Sequence, residues 1–419
     1  MKPLRACGLA DMLAALMEAN LTTLFLVTLI AVTAPLVSEL PIGLRLPVVV
    51  VEIALGIVVG PQVLGWAQAT GVLAFLGTLG LAFLFFLAGL ELNFEELRGR
   101  PLQLGLKAWT VSIILALAVT FLLRAAGFLN APIMIATALA TTAIGTLLPI
   151  LRDSGELKTR FGTLVLGAGA VGELGPVLVV SLILTHEHTT WQQTFLLLAF
   201  AGVALAAAIA ALRVRLRPIV RLLERTLHAS SQLPVRICIL LLVGLVVLAH
   251  EFGLDLILGA FAAGMVVRLA SEGEKGEVLR EKLEAIGYGF LVPLFFVVSG
   301  IKFNLDSLLE STDALLRVPF FLALFLLIRG APSLLFYRKD LAKNERLPFI
   351  LYISTALPLV VAITDIGVAT GRMRSDNAAA LVGAGMVSVL LFPLLALALR
   401  KRAGAVQPGQ GREDDEDAL

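Results

Sequence analysis

This sequence predicts an all-α polytopic membrane protein of about thirteen transmembrane helices, on three observations. Of its 419 residues, 58% are hydrophobic and only 15% are charged, against roughly 25% charged in soluble chains; its mean hydropathy is +0.95. Apolar runs of about 20 residues, the length that crosses a bilayer as a helix, recur along it. Its basic residues gather in every second connection between those runs, as in membrane proteins with a fixed orientation. The alternating ten-residue pattern of an outer-membrane barrel is absent.

The runs lie at about 20–40, 46–62, 70–92, 103–124, 131–151, 160–184, 193–212, 233–250, 254–270, 285–303, 316–337, 347–370 and 377–399. The weakest are 46–62 and 254–270, with a tight connection at 250–254. Connections after odd-numbered segments carry Arg45, Arg98, Arg100, Arg152, Lys158, Arg160, the RVRLRPIVRLLER stretch, Arg268, Lys275, Arg280, Lys282, Arg338, Lys339, Lys343 and Arg346. The opposite side holds only Lys2, Arg5, Arg124, Lys302, Arg317, Arg372 and Arg374. The expected topology therefore puts the N-terminus outside and the C-terminus in the cytoplasm. A wrong segment count would scramble the alternation.

The expected domains are an extracytoplasmic segment 1–19, a transmembrane domain 20–399 and a disordered, acidic cytoplasmic tail 400–419. The basic amphipathic stretch 213–232 is expected along the cytoplasmic surface, linking two halves. Asp11 and Glu18 interrupt any signal-peptide core, so the first spanning helix is expected to direct its own insertion. Cys7 and Cys238 lie far apart and form no disulfide or metal framework; Cys238 reads as a packing residue. His186 and His188, two apart in an external THEHTT loop, are a weak metal signal. No enzyme, cofactor, nucleic-acid partner or resident metal is expected.

Polar residues at membrane depth point to the site. Glu173, in AVGELGPV, is the only ionisable residue of 161–184, and an intramembrane carboxylate is expensive and usually functional. Arg329 lies mid-segment in FLLIRGAPSLL and stays charged at any physiological pH, so burying it needs an anionic partner nearby, with Glu173 the expected one. Lys107 is near enough to its helix end to snorkel. The fifth segment carries Thr141 and Thr142, then Gly145 and Pro149; the twelfth carries Ser354, Thr355 and Pro358. Both are expected to be broken helices, about 131–151 and 347–370, because interrupted backbone at this depth belongs where it lines a cavity or is buried in protein. Seven segments apart, they enter from opposite sides, as in an inverted repeat whose broken helices meet at a midplane ion site. Thr-Thr pairs and prolines also occur as plain packing features, and a Glu–Arg pair can be structural; coincidence of depth favours function. Glu52 and Asp365 are expected to line an entry funnel and the opposite mouth, whereas Glu91, Glu95 and Glu96, at a cytoplasmic helix end, are expected to be solvated.

The stretches LGTLGLAFLFFLAGLELNFEEL, RLPVVVVEIALGIVVGP, LILGAFAAGMVV and IGYGFLVPLFFVVSGIKFNL resemble signatures of the cation:proton antiporter-2 family, over residues 20–399. The resemblance implies thirteen helices, an inverted repeat with two crossing broken helices, a homodimer and elevator-like movement. It also implies that Glu173 stands at the second acid of an Asp-Asp or Asn-Asp pair, Gly172 at the first, Thr141 and Thr142 at the polar pair of the first broken helix, and Arg329 at a basic position of the eleventh. The missing acid at Gly172 leaves one titratable carboxylate, hence an expectation of electroneutral 1:1 exchange of H⁺ for Na⁺ or K⁺ by alternating access. Two other expectations compete: a symporter or organic-anion carrier with Arg329 binding substrate, and a potassium-efflux system. The latter ranks low, since no dinucleotide-binding fingerprint follows the last predicted helix.

Overall fold

The computed structural model describes residues 6–38, 47–91, 99–157, 159–184, 202, 231–254, 256–271, 274–309 and 312–402. All regular structure among them is helical. In chain order the helices are α1 (Ala6–Ser38), α2 (Val48–Val59), α3 (Gly71–Glu91), α4 (Arg100–Ala125), α5 (Pro132–Leu139), α6 (Ile144–Asp153), α7 (Arg160–Leu184), α8 (Leu233–Glu251), α9 (Leu256–Ala270) and α10 (Glu274–Ile286). A single π turn, Gly287–Leu291, carries α10 into α11 (Val292–Lys302); then come α12 (Leu305–Leu309), α13 (Thr312–Phe336), α14 (Lys343–Ile353), α15 (Pro358–Ala369) and α16 (Ser375–Arg402).

Among the described residues, nine helices are long and apolar enough to cross a membrane and three more are shorter apolar helices. They correspond to twelve of the thirteen predicted segments, including the two weakest. The seventh, 193–212, lies outside the described residues except for 202, as do 213–230 of the expected linker and the tail beyond 402. Large apolar side chains face outward, Leu36 at 65% exposure and Leu122 and Leu240 at 71%, a surface that suits a hydrocarbon solvent. One connection differs from expectation: 274–286 is helical, not a loop, and its charges pair along the helix, Glu277 with Arg280 at 3.1 Å.

Residues 1–84 and 281–306 form one compact unit. In it α2 packs on α11 at a glycine contact, where a β-carbon on Gly56 would lie 3.0 Å from the Gly300 Cα. The Gln62 side chain fastens the end of α11 by donating to Asn304 at 3.0 Å and accepting from the Asp306 N–H at 3.1 Å.

Residues 85–280 and 307–419 form the second unit. There α4 packs on α7, α5 and α13, and α16 packs on α13, α14 and α15. The tight connection at 250–254 closes on Gly253 (φ +67°), and the Leu254 N–H donates back to the Ala249 carbonyl at 2.8 Å; a positive φ there is a position glycine fills without strain.

Two helices of this unit are broken where the sequence places Thr-Thr and Ser-Thr. The first spans 132–153, with non-helical residues 140–143 between α5 and α6; the second spans 343–369, with 354–357 between α14 and α15. Each break has a local cause. The Thr141 hydroxyl donates to the Ala138 carbonyl at 2.8 Å, and the Thr142 N–H leaves its own helix for the Gly172 carbonyl at 3.0 Å; such local bonding competes with the helix. Pro358, the first residue of α15, has no N–H to give the Ser354 carbonyl, so the helical ladder cannot run through this point. The breaks touch directly: the Ala143 N–H donates to the Thr355 carbonyl at 2.8 Å. With α5 against α15, the first half of one lies beside the second half of the other, as in two antiparallel helices crossing at their breaks.

Candidate functional site

Arg329, on α13, is 1% exposed, so its guanidinium must find its acceptors in the protein. Nη2 donates to the Thr142 hydroxyl at 2.8 Å and to the Ala168 carbonyl at 3.1 Å. Nε donates to the same hydroxyl at 3.1 Å and, at longer range, to the Ile353 carbonyl at 3.4 Å. The Thr142 hydroxyl gives its own proton to Ile353 O at 2.5 Å. A hydroxyl has one proton and two lone pairs, so that of Thr142 is fully used. One arginine thus ties together the first break, α7 and the end of α14 before the second break.

Gly172 is what lets it in. A β-carbon there would lie 2.6 Å from the Thr142 hydroxyl oxygen and 2.7 Å from Arg329 Nη2. The position that in the resembling family holds the first acid of a pair here lies against the arginine and the threonine.

Glu173 is half-buried and faces elsewhere. Among the described residues it has no ion pair, so the expected Glu173–Arg329 bridge does not form. Helix geometry explains why. Ala168 and Gly172 are four apart and share the face of α7 turned to Arg329, whereas Glu173 shares its face with Gly169, about 100° round. That second face meets the start of α6: a β-carbon on Gly169 would lie 2.6 Å from Ile144 Cγ1, and the Glu173 carboxylate interacts with the Ile144 backbone. Its compensation is therefore the N-terminus of a half-helix, where unsatisfied N–H groups favour negative charge. Glu91 lies within Coulombic range of Glu173 and is half-buried at the end of α3, unlike the solvated residue expected. The sequence carried one signal for it: Glu91 is the first charge after twenty apolar or small residues of α3. Glu95 and Glu96 lie outside the described residues.

Several oxygens at the breaks stay open. Among the described residues no hydrogen bond reaches the carbonyls of Thr141 and Thr142. The Thr141 hydroxyl, while donating to Ala138, keeps its lone pairs. The Ser354 hydroxyl is buried and has no hydrogen-bond partner among the described residues. Thr355, fully buried, donates its hydroxyl to Leu351 O at 3.1 Å. The structure thus brings together Glu173, Thr141, Thr142, Ser354, Thr355, Gly172 and Arg329 in one unit. Glu52 is buried mid-α2 in the other unit at 3% exposure, and Asp365 is half-buried in α15. His186 and His188 lie outside the described residues.

The site is thus a half-buried carboxylate at the N-terminus of a half-helix, in the unit that holds both broken helices. The family described as sodium/hydrogen exchanger, transmembrane, matches residues 26–397. The chain belongs to that family. Among curated members, this exchanger-family chain is 26% identical to the putative Na⁺/H⁺ antiporter YjbQ of Bacillus subtilis over 409 residues, covering 91% of the chain and 64% of the relative. It is 27% identical to the Na⁺/H⁺-K⁺ antiporter GerN of Bacillus cereus, covering 68% of the chain and 72% of the relative. It thus spans a little under two thirds of YjbQ. In fold, it matches the sodium proton antiporter MjNhaP1 of Methanocaldococcus jannaschii with a TM-score of 0.62 at 14% identity, over 92% of this chain and 98% of that one.

Proposed function

We propose that this exchanger-family protein is a secondary antiporter that exchanges Na⁺ or K⁺ for H⁺ across a bacterial plasma membrane by alternating access, one ion for one. The observation that carries the proposal is Glu173: a half-buried carboxylate with no cationic partner among the described residues, beside backbone that presents unused oxygens. A dehydrated monovalent cation is held by such oxygens. Glu173 supplies the charge; the carbonyls of Thr141 and Thr142 and the hydroxyls of Thr141 and Ser354 supply neutral ligands. A proton and a cation cannot share one carboxylate, so each displaces the other, and that competition couples the two fluxes. The Thr142 hydroxyl has no part in ligation in this arrangement, because Arg329 and Ile353 use all of it.

The filled Gly172 position supports one-for-one exchange, since the space for a second acid on that face of α7 is taken by Arg329 and Thr142. Burial of Arg329 at 1% exposure, with Nε and Nη2 already bonded to neutral oxygens, argues against the anion-carrier reading, which needs a guanidinium open to substrate. A homodimer working as an elevator, with the N-terminus outside and the C-terminus in the cytoplasm, completes the proposal; it rests on the family resemblance and on the placement of basic residues. Everted membrane vesicles test it through fluorescence dequenching with Na⁺, K⁺ and Li⁺ over a pH series. The expected result is a cation-dependent signal whose apparent KM rises as pH falls. A KM that is flat with pH, or a signal that follows organic anions, contradicts it.

A further inference from the structure

The geometry points to Trp109 as a positioning residue that sets the cation affinity of the Glu173 site, an inference that rests on the exchange reading above. Trp109 sits on α4, half-buried, and touches the site from two directions. Its indole N–H donates to the carbonyl of Ala140 at 3.1 Å. Ala140 is the residue that ends α5, immediately before Thr141 and Thr142, and the last carbonyls of a helix have no partner within it. The six-membered part of the same ring lies flat against Gly175, where a β-carbon would come 2.5 Å from indole Cε2 and 2.7 Å from Cη2. Gly175 is two residues past Glu173 on α7.

One rigid side chain therefore fixes the two halves of the site to each other. Its polar edge holds the broken helix whose Thr141 and Thr142 carbonyls stand open, and its apolar face seats the helix that carries the carboxylate. The tie also bears on which oxygens are offered: with Ala140 occupied by the indole N–H, the open carbonyls among the non-helical residues 140–143 are those of the two threonines. Ion sites require ligands held to within about half an ångström, and a backbone released from helical bonding needs an external tie to meet that. Trp109 touches neither ion nor proton; it acts through Ala140 and Gly175.

Two substitutions separate the two contacts. Trp109→Phe keeps a six-membered ring to lie on Gly175 and removes the N–H. Trp109→His lacks that ring but presents Nε2–H two bonds from Cγ, like the indole nitrogen. In proteoliposomes at fixed pH, Trp109→Phe is expected to raise the KM for Na⁺ about three- to ten-fold, the weight of one neutral hydrogen bond, with a smaller fall in Vmax. Trp109→His is expected to recover at least half of that KM change. KM does not depend on how much protein folds, so a mere loss of stability lowers Vmax and leaves KM in place. An unchanged KM in Trp109→Phe, or a KM in Trp109→His as poor as in Trp109→Phe, overturns the inference. So does a Trp109→Phe chain that never accumulates in the membrane, for the indole N–H bond is then a requirement of folding. If Glu173→Gln still exchanges ions, the exchange reading itself fails; if Glu173→Gln is inactive and Trp109→Phe keeps its KM, only the role of Trp109 falls.

Discussion

Arg329 and Glu173 are two buried charges in the same unit, and the protein treats them in opposite ways. Arg329 is sealed at 1% exposure and bonded to a hydroxyl and two carbonyls from three different segments. Glu173 keeps partial exposure, has no ion pair among the described residues, and interacts with the Ile144 backbone at the start of α6. A charge bonded to three segments is scaffold, because moving it means breaking several bonds at once. A charge with only a helix terminus for company is free to take and release a partner. The expectation that the two neutralise each other would have made both of them scaffold.

The largest test of that contrast is Glu173→Gln, which keeps the shape and removes the charge. It should lower exchange by at least about a hundred-fold, the scale of a buried charged contact worth roughly 3 kcal/mol, while the purified protein melts near the wild-type temperature. Arg329→Gln should do the reverse in emphasis. It strands the Thr142 hydroxyl and the Ala168 carbonyl, so a stability loss of about 3 kcal/mol is expected, visible as a lower melting temperature in detergent before any assay of transport. If Arg329→Gln melts normally and only transport is lost, Arg329 is a working charge and the contrast breaks.

A smaller effect is expected at Gly172→Ala. The new methyl group presses on the Thr142 hydroxyl and Arg329 Nη2, at a cost of about 1–3 kcal/mol as an overpacked core position. Its melting temperature should fall between those of Arg329→Gln and the wild type. The smallest effect concerns another charge held by several bonds, Asp340, in the 338–342 turn. It accepts from Arg100 Nε at 2.6 Å and Nη2 at 3.0 Å, with Arg160 at 3.6 Å. Chiefly the Arg100 hydrogen bond holds its carboxyl below the ordinary 3.8. The unfolded chain then takes up the proton first, so the stability Asp340 contributes is present above pH 3.8 and is lost as pH falls through its lower folded value. Melting curves of Asp340→Asn and wild type should therefore differ slightly at neutral pH and converge on acidification. A gap that persists at the acid end contradicts this reading.

Composition and the spacing of apolar runs were enough to read the helical membrane class and the places of twelve segments, because burial in lipid constrains sequence strongly and locally. Both breaks were legible at Thr141–Thr142 and at Ser354–Pro358, since proline and back-bonding hydroxyls act within a few residues. What was not legible was direction. Whether Arg329 reaches Glu173 or its neighbour Gly172 depends on a 100° step around α7 and on where α13 packs, and neither is a local property. For the same reason Glu91 looked like a surface charge: its burial is set by what packs on the end of α3. Trp109 gave no signal at all, for its partner Ala140 is thirty-one residues away and of the least distinctive type.

The central claim is that proton and cation compete for Glu173 alone. Calorimetric titration of the purified protein with Na⁺, in two buffers of different ionisation enthalpy, measures it directly by counting protons released per cation bound. The account predicts one proton per Na⁺ for the wild type and no binding heat for Glu173→Gln. Release of two protons, or binding that survives in Glu173→Gln, would contradict it.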